Sequence, residues 1–106
     1  MSLSPTQRTL AQLRKEGWHP WIVEKWIPQT KQRLDAWHVA DIVALGENEV
    51  LAVQATSGSN VAARVAKLAD SEGLAHLRRA GVRVEVWGWR KLAKTGKWEC
   101  RRVDVS

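Results

Sequence analysis

The sequence predicts an α/β domain in which a mixed central sheet is flanked by helices and extended by an additional C-terminal strand. Three observations predict it. A helix signal at the N-terminus precedes three extended segments; the third of these, residues 49–56, is a nearly unbroken apolar run; and a helical stretch separates it from the alternating residues of a fourth strand, 82–87. A strand covered on both faces is apolar throughout, and a helical crossover between strands of one sheet makes them parallel.

Each element has its own signal. Ser4-Pro5-Thr6-Gln7 has the form of a capping box with proline at the first helical position. Leu10 and Leu13 recur at helical spacing and Gly17 supplies a left-handed stop, so a helix is expected over 5–16. The aromatic and β-branched run 18–26, closed by Pro28, predicts the first strand. After the polar residues 29–32, a second extended stretch, 33–45, ends at Gly46-Glu47-Asn48 and turns back as a hairpin into the third strand, 49–56. Ser57-Gly58-Ser59-Asn60 breaks that strand and offers an N-cap to a helix over 61–69, where Val61, Val65 and Leu68 form one stripe. A further helix, 70–79, follows a kink and stops at Gly81. Val82, Val84 and Val86 then alternate with Arg83, Glu85 and Trp87, and a last strand, 98–105, follows the turn at Lys94-Thr95-Gly96.

A chain of 106 residues is the size of one domain, 1–106, and at that size roughly two thirds of the unfolded surface is buried on folding. The composition, 44% apolar with seven tryptophans and no Phe or Tyr, is that of a folded globule. A single cysteine, Cys100, excludes an internal disulfide and a cysteine metal cage, and neither His19 nor His76 has a partner at zinc-ligand spacing. The N-terminus lacks the apolar run of a signal peptide and no window resembles a membrane span, so a soluble, cytoplasmic protein is expected. A net charge of +6, spread along the chain, favours a polyanionic partner.

The residues that suggest chemistry lie at the hairpin. Asp41 stands directly before the apolar Ile42-Val43-Ala44-Leu45, where a carboxylate needs capping, pairing or a cation. Asp35 lies six residues earlier, on the same face if the strand is uninterrupted. The third strand ends in Gln54-Ala55-Thr56, whose two polar side chains share one face. A hairpin brings this end beside Asp41, so Asp41, Gln54 and Thr56 are expected to converge, with the Ala55 carbonyl as a further oxygen ligand.

This arrangement resembles the PD-(D/E)XK nuclease superfamily, especially archaeal Holliday-junction resolvases and phage-encoded relatives. The resemblance spans residues 6–89 and rests chiefly on Asp41-Ile42-Val43-Ala44-Leu45, the hairpin and Val50-Leu51-Ala52-Val53-Gln54-Ala55-Thr56. It implies a restriction-endonuclease-like αβββαβ core and a metal-dependent endonuclease that hydrolyses branched or duplex DNA with Mg²⁺ or Mn²⁺ and no small-molecule cofactor. It also implies a homodimer in a bacterial or phage-infected cell; Trp87 and Trp89 lie in a strand, where core or sheet-surface packing is the first expectation and an exposed apolar edge for that dimer the second. The resemblance places Asp41 as a metal ligand, Gln54 at the second-acid position and Thr56 at the lysine position. Gln54 brings an oxygen without charge, which lowers metal affinity, and Thr56 cannot replace an ammonium. In the active reading Asp35 supplies the missing carboxylate and Lys67 a relocated cation; the alternative is a catalytically degenerate nucleic-acid-binding domain, or a nuclease-like subunit that needs a partner.

Other groups surround this constellation. Ser57, Ser59 and Asn60 precede a helix start, where amides and hydroxyls can hold a phosphate, and Arg64 follows one turn later. Trp37 and His38 lie between the two aspartates; burial of the indole competes there with stacking on a nucleotide, and His38 is either structural or a phosphate contact. Arg78, Arg79, Arg83, Arg90, Lys91, Lys94, Lys97, Arg101 and Arg102 make the second half basic, which suits salt-dependent binding to phosphates as well as it suits solvated surfaces.

Overall fold

The computed structural model describes residues 3–106. Ser4 caps the first helix by accepting the Gln7 amide at 3.2 Å, and α1 (Pro5–Lys15) runs until Gly17 takes a left-handed φ of 93°. Leu10 and Leu13 on its inner face pack on the main sheet. That sheet contains β1 (His19–Ile22), β4 (Ile42–Leu45), β5 (Val50–Ser57), β6 (Arg83–Lys91) and β7 (Trp98–Asp104), in that spatial order. β5 and β6 are parallel and the other neighbours antiparallel, so the sheet is mixed. The crossover from β5 to β6 is made by α2 (Val61–Ala69) and α3 (Glu72–Arg79), which close the second face.

Alternation along β5 divides the core in two. Leu51 and Val53 pack with Ile42, Ala44 and Trp87 beneath α1, whereas Ala52 joins Val39, Val84, Val86, Val61, Leu68, Leu74 and Leu77 beneath α2 and α3. The expected class, sheet and crossover are therefore present, and none of the helices among the described residues is long and apolar enough to cross a membrane.

Two expected strands are interrupted. The run 18–26 is split: β1 ends at Ile22, and Trp26 belongs to a separate two-stranded ribbon of β2 (Lys25–Ile27) and β3 (Gln32–Leu34). The stretch 33–45 is broken by a turn in which Ala36 bridges Ala40 and both Trp37 and His38 adopt left-handed φ, 53° and 57°. Strand composition is the same in a three-residue ribbon and in a sheet strand; pairing decides between them, and pairing is not local. The cap expected ahead of α2 is also absent. Asn60 makes no side-chain cap bond, and residues 58–60 form a 3₁₀ turn instead. The break between α2 and α3 is closed by Ser71, which accepts the Leu74 amide.

The 36–40 turn rests on α3. A Cβ built on Gly73 would stand 2.1 Å from the Trp37 carbonyl oxygen and 3.0 Å from Val39 Cγ2. Gly73→Ala should therefore destabilise the protein by about 1–3 kcal/mol through overpacking, although a helical Gly→Ala otherwise gains up to about 1 kcal/mol. Urea denaturation tests this, and a variant as stable as the parent would show that the turn yields freely.

Candidate active site

At the C-terminal end of β5 a cleft of about 390 Å³ opens between the start of α1, the β1–β2 and β3–β4 connections and α2. Its walls include Ser4, Thr6, Glu24, Asp35, Asp41, Ala55, Thr56, Ser57 and Arg64. Asp41 is held at the floor. Its Oδ2 accepts the Ala55 amide at 2.9 Å, while its own N–H donates to the Val53 carbonyl as β4 begins beside β5. Burial raises the Asp41 carboxyl to about 6; the Ala55 hydrogen bond opposes this, the negative charges of Glu24 and Asp35 add to the rise, and Arg64 opposes it.

Asp35 reaches the cleft by a route other than strand alternation. The left-handed turn folds residues 36–40 back on themselves, and Asp35 and Asp41 meet across its base, where Ala36 donates to the Ala40 carbonyl at 2.9 Å. Glu24, which sequence reasoning passed over, completes three carboxylates in one cleft. Its signal was a lone acid in the aromatic and aliphatic run 21–27.

Gln54 is a correction to the expected constellation. The register sets it directly beyond the Ile42–Val53 pair, opposite Asp41, but its side chain is 5% exposed and its Nε2 donates to the Val39 carbonyl at 3.0 Å. The turn leaves Val39, itself buried, outside any strand, and a buried carbonyl needs a donor. Gln54 supplies it and does not line the cleft, and its Oε1 is buried with no partner among the described residues. Ala55 meets Asp41 through its N–H, and Thr56 lines the cleft as expected. Lys67 is exposed and absent from the walls; among the described wall residues the cation is Arg64, one turn earlier on α2.

The expected DNA contacts also separate. Ser57 borders the cleft, Ser59 faces a neighbouring groove with its Oγ 3.2 Å from Ser57 Oγ, and exposed Asn60 borders neither. The His38 side chain is exposed, its Nδ1 3.9 Å from Asp35 Oδ1. Trp37 is 56% exposed, contrary to burial, and shares a third, apolar groove with Trp18 and with Trp21, which is 75% exposed. Trp87 is a core residue, as strand packing predicts, and is not available to a dimer edge: it is 1% exposed, lies on an interior strand under α1, donates through Nε1 to Glu85 and carries the Arg102 guanidinium on its face at 3.9 Å. Trp89 is half-buried with Nε1 on Thr9 Oγ1.

Among the described residues no group of three or more His, Cys, Asp or Glu stands close enough to enclose a metal ion. The donor set nevertheless fits Mg²⁺, a hard cation that takes one or two carboxylates and completes its shell with water and phosphate oxygens. Asp41 already carries the electrostatic load of two nearby carboxylates, which a divalent cation would relieve. Compared with family models, curated proteins and solved structures, the chain matches nothing.

Proposed function

We propose that the protein is a Mg²⁺-dependent DNA endonuclease, a phosphodiester hydrolase related to the PD-(D/E)XK superfamily. The observation that supports this most is the confinement of Glu24, Asp35 and Asp41 in one cleft beside Arg64 and Ser57. Asp41 would hold the ion directly, with Asp35 and Glu24 fixing its water ligands. When bound, the ion supplies Lewis-acid polarisation of the phosphate and a more acidic water. Arg64 would pair with a non-bridging phosphate oxygen and orient the ester. The Ala55 amide aims the Asp41 carboxylate and, with Arg64, favours its charged form. Thr56 contributes a hydroxyl and no charge, so the lysine position of the family stays unfilled.

That vacancy, with Gln54 committed to the Val39 carbonyl, favours a second reading, a DNA-binding domain that has lost cleavage. The two separate in one assay. Branched, single-stranded and linear duplex DNA are incubated with the protein and with Asp41→Ala, in Mg²⁺ or Mn²⁺. The enzyme reading expects cleavage that falls on the order of 100-fold or more in the variant. Binding without cutting by either protein would leave the degenerate domain, and cutting that survives the substitution would remove Asp41 from the chemistry.

A further inference from the structure

The C-terminal ends of the parallel pair β5 and β6 open into a second depression, a groove of about 800 Å³. Crevices at such strand ends are where open α/β sheets bind ligands. Pro5 and Ser57 stand in the walls of both groove and cleft, so the two are continuous. Their charges are opposite. Among the described wall residues the cleft holds three carboxylates and Arg64, whereas the groove holds Arg8, Arg90, Lys91, Arg101 and Glu99.

Internal contacts sort the basic residues that the sequence offers. Arg78 donates to the Val105 carbonyl, Arg83 pairs with Glu49 and Glu85, and Arg102 pairs with Glu16, so these serve the fold. In the groove Arg90 pairs with Glu99 at 3.2 Å, but Arg8, Lys91 and Arg101 form no ion pair among the described residues. Arg8 is the most informative. Its guanidinium lies 3.8 Å over the Trp98 ring, and its Nε is buried with no hydrogen-bond acceptor among the described residues. Arg8, Lys91 and Arg101 thus place three cations without an ion-pair partner in one groove, which favours an anionic ligand that hydrogen-bonds to their remaining N–H groups.

We propose that this groove binds the phosphodiester backbone of the DNA strand that enters the cleft, with Arg8, Lys91 and Arg101 as its phosphate contacts. The inference rests on the nuclease reading and extends it: the strand passes Ser57 from the acidic cleft, where one phosphate meets the ion, into a basic track that holds neighbouring phosphates. The indole of Trp98, braced by Arg8, offers a face on which an unpaired base can stack.

The test is the salt dependence of binding to labelled single-stranded and duplex oligonucleotides, measured in Ca²⁺ by fluorescence anisotropy. Arg8→Met, Lys91→Gln and Arg101→Gln should each weaken binding and lower the slope of log Kd against log salt by about 0.7 on a single strand and about 0.9 on a duplex. Arg79→Gln removes the same charge outside the groove and should change neither. Lys91 and Arg101 are exposed, so their variants keep the fold whatever Arg8→Met does. Unchanged slopes in those two, or an equal fall in Arg79→Gln, would overturn the groove while the parent protein still bound and cut DNA. Failure of the parent to bind either oligonucleotide at low salt would overturn both the groove and the nuclease reading.

Discussion

Asp41→Asn should stabilise the metal-free protein at pH 8 by about 1–3 kcal/mol, and the gain should disappear below about pH 3. The folded protein raises the Asp41 carboxyl from its ordinary 3.8 to about 6, chiefly by burial and then by the nearby charges of Glu24 and Asp35. Below about pH 3 the group is protonated whether the chain is folded or not, and the wild type loses nothing. Between pH 4 and 6 the unfolded chain gives up the proton while the folded one retains it, so stability drains away as pH rises. Above pH 6 the folded protein carries a desolvated charge next to two others. Asparagine removes that charge and keeps an oxygen for the Ala55 amide, which donates at 2.9 Å. The whole shift corresponds to about 3 kcal/mol, and partial contact of the carboxylate with water reduces it. Melting in EDTA across this pH range measures the effect, and saturating Mg²⁺ should then raise the wild type above its EDTA value and leave the variant unmoved. An asparagine variant less stable than wild type at pH 8 would mean that Asp41 is held by partners whose charge it needs.

The sheet and its crossover were legible because their signals are local. Gly17 and Gly81 take left-handed φ of 93° and 76° at the two helix ends where sequence reasoning puts stops. β5 is buried along most of its length, as its apolar run requires. The chain between Ile22 and Ile42 was not legible, and the reason is physical. No glycine marks the left-handed turn at Trp37 and His38; the turn holds because α3 presents Gly73 to the Trp37 carbonyl, a contact 36 residues away. Once that turn forms, Val39 loses its strand partners and recruits Gln54 across 15 residues, which removes the amide from the cleft. The cation was readable from periodicity: Arg64 lies three residues after buried Val61 and one before Val65, on the flank of the inward stripe, whereas Lys67 falls on the exposed side. Hydrogen-bond accounting in an irregular segment thus moved one expected ligand, and helical phase selected a different cation.

Gly88→Ala should destabilise the protein by about 3 kcal/mol, enough to lower the melting temperature by more than about 10 °C. Gly88 pairs with Thr56 in the parallel ladder between β5 and β6. A Cβ there would meet Val61 Cγ2 at 2.1 Å, the Gly58 Cα at 3.1 Å and the Ser57 carbonyl oxygen at 3.3 Å. Carbon atoms attract best at about 3.5–4.0 Å, so the first contact is deeply repulsive. A β-branched side chain has little rotameric freedom in a helix, so Val61 relieves the clash mainly by carrying the first turn of α2 away from the sheet. Arg64 travels with that turn, and the cleft loses the cation facing Asp41. The double variant Val61→Ala, Gly88→Ala separates the steric cause from any backbone effect. Val61→Ala alone should cost about 2 kcal/mol as a buried truncation, yet the pair should be more stable than additivity allows by about 1–3 kcal/mol, because the added methyl occupies the space the valine vacates. Additive losses in that cycle would place the strain in the Gly58 and Ser57 backbone, and in that case α2 and Arg64 would stay where they are.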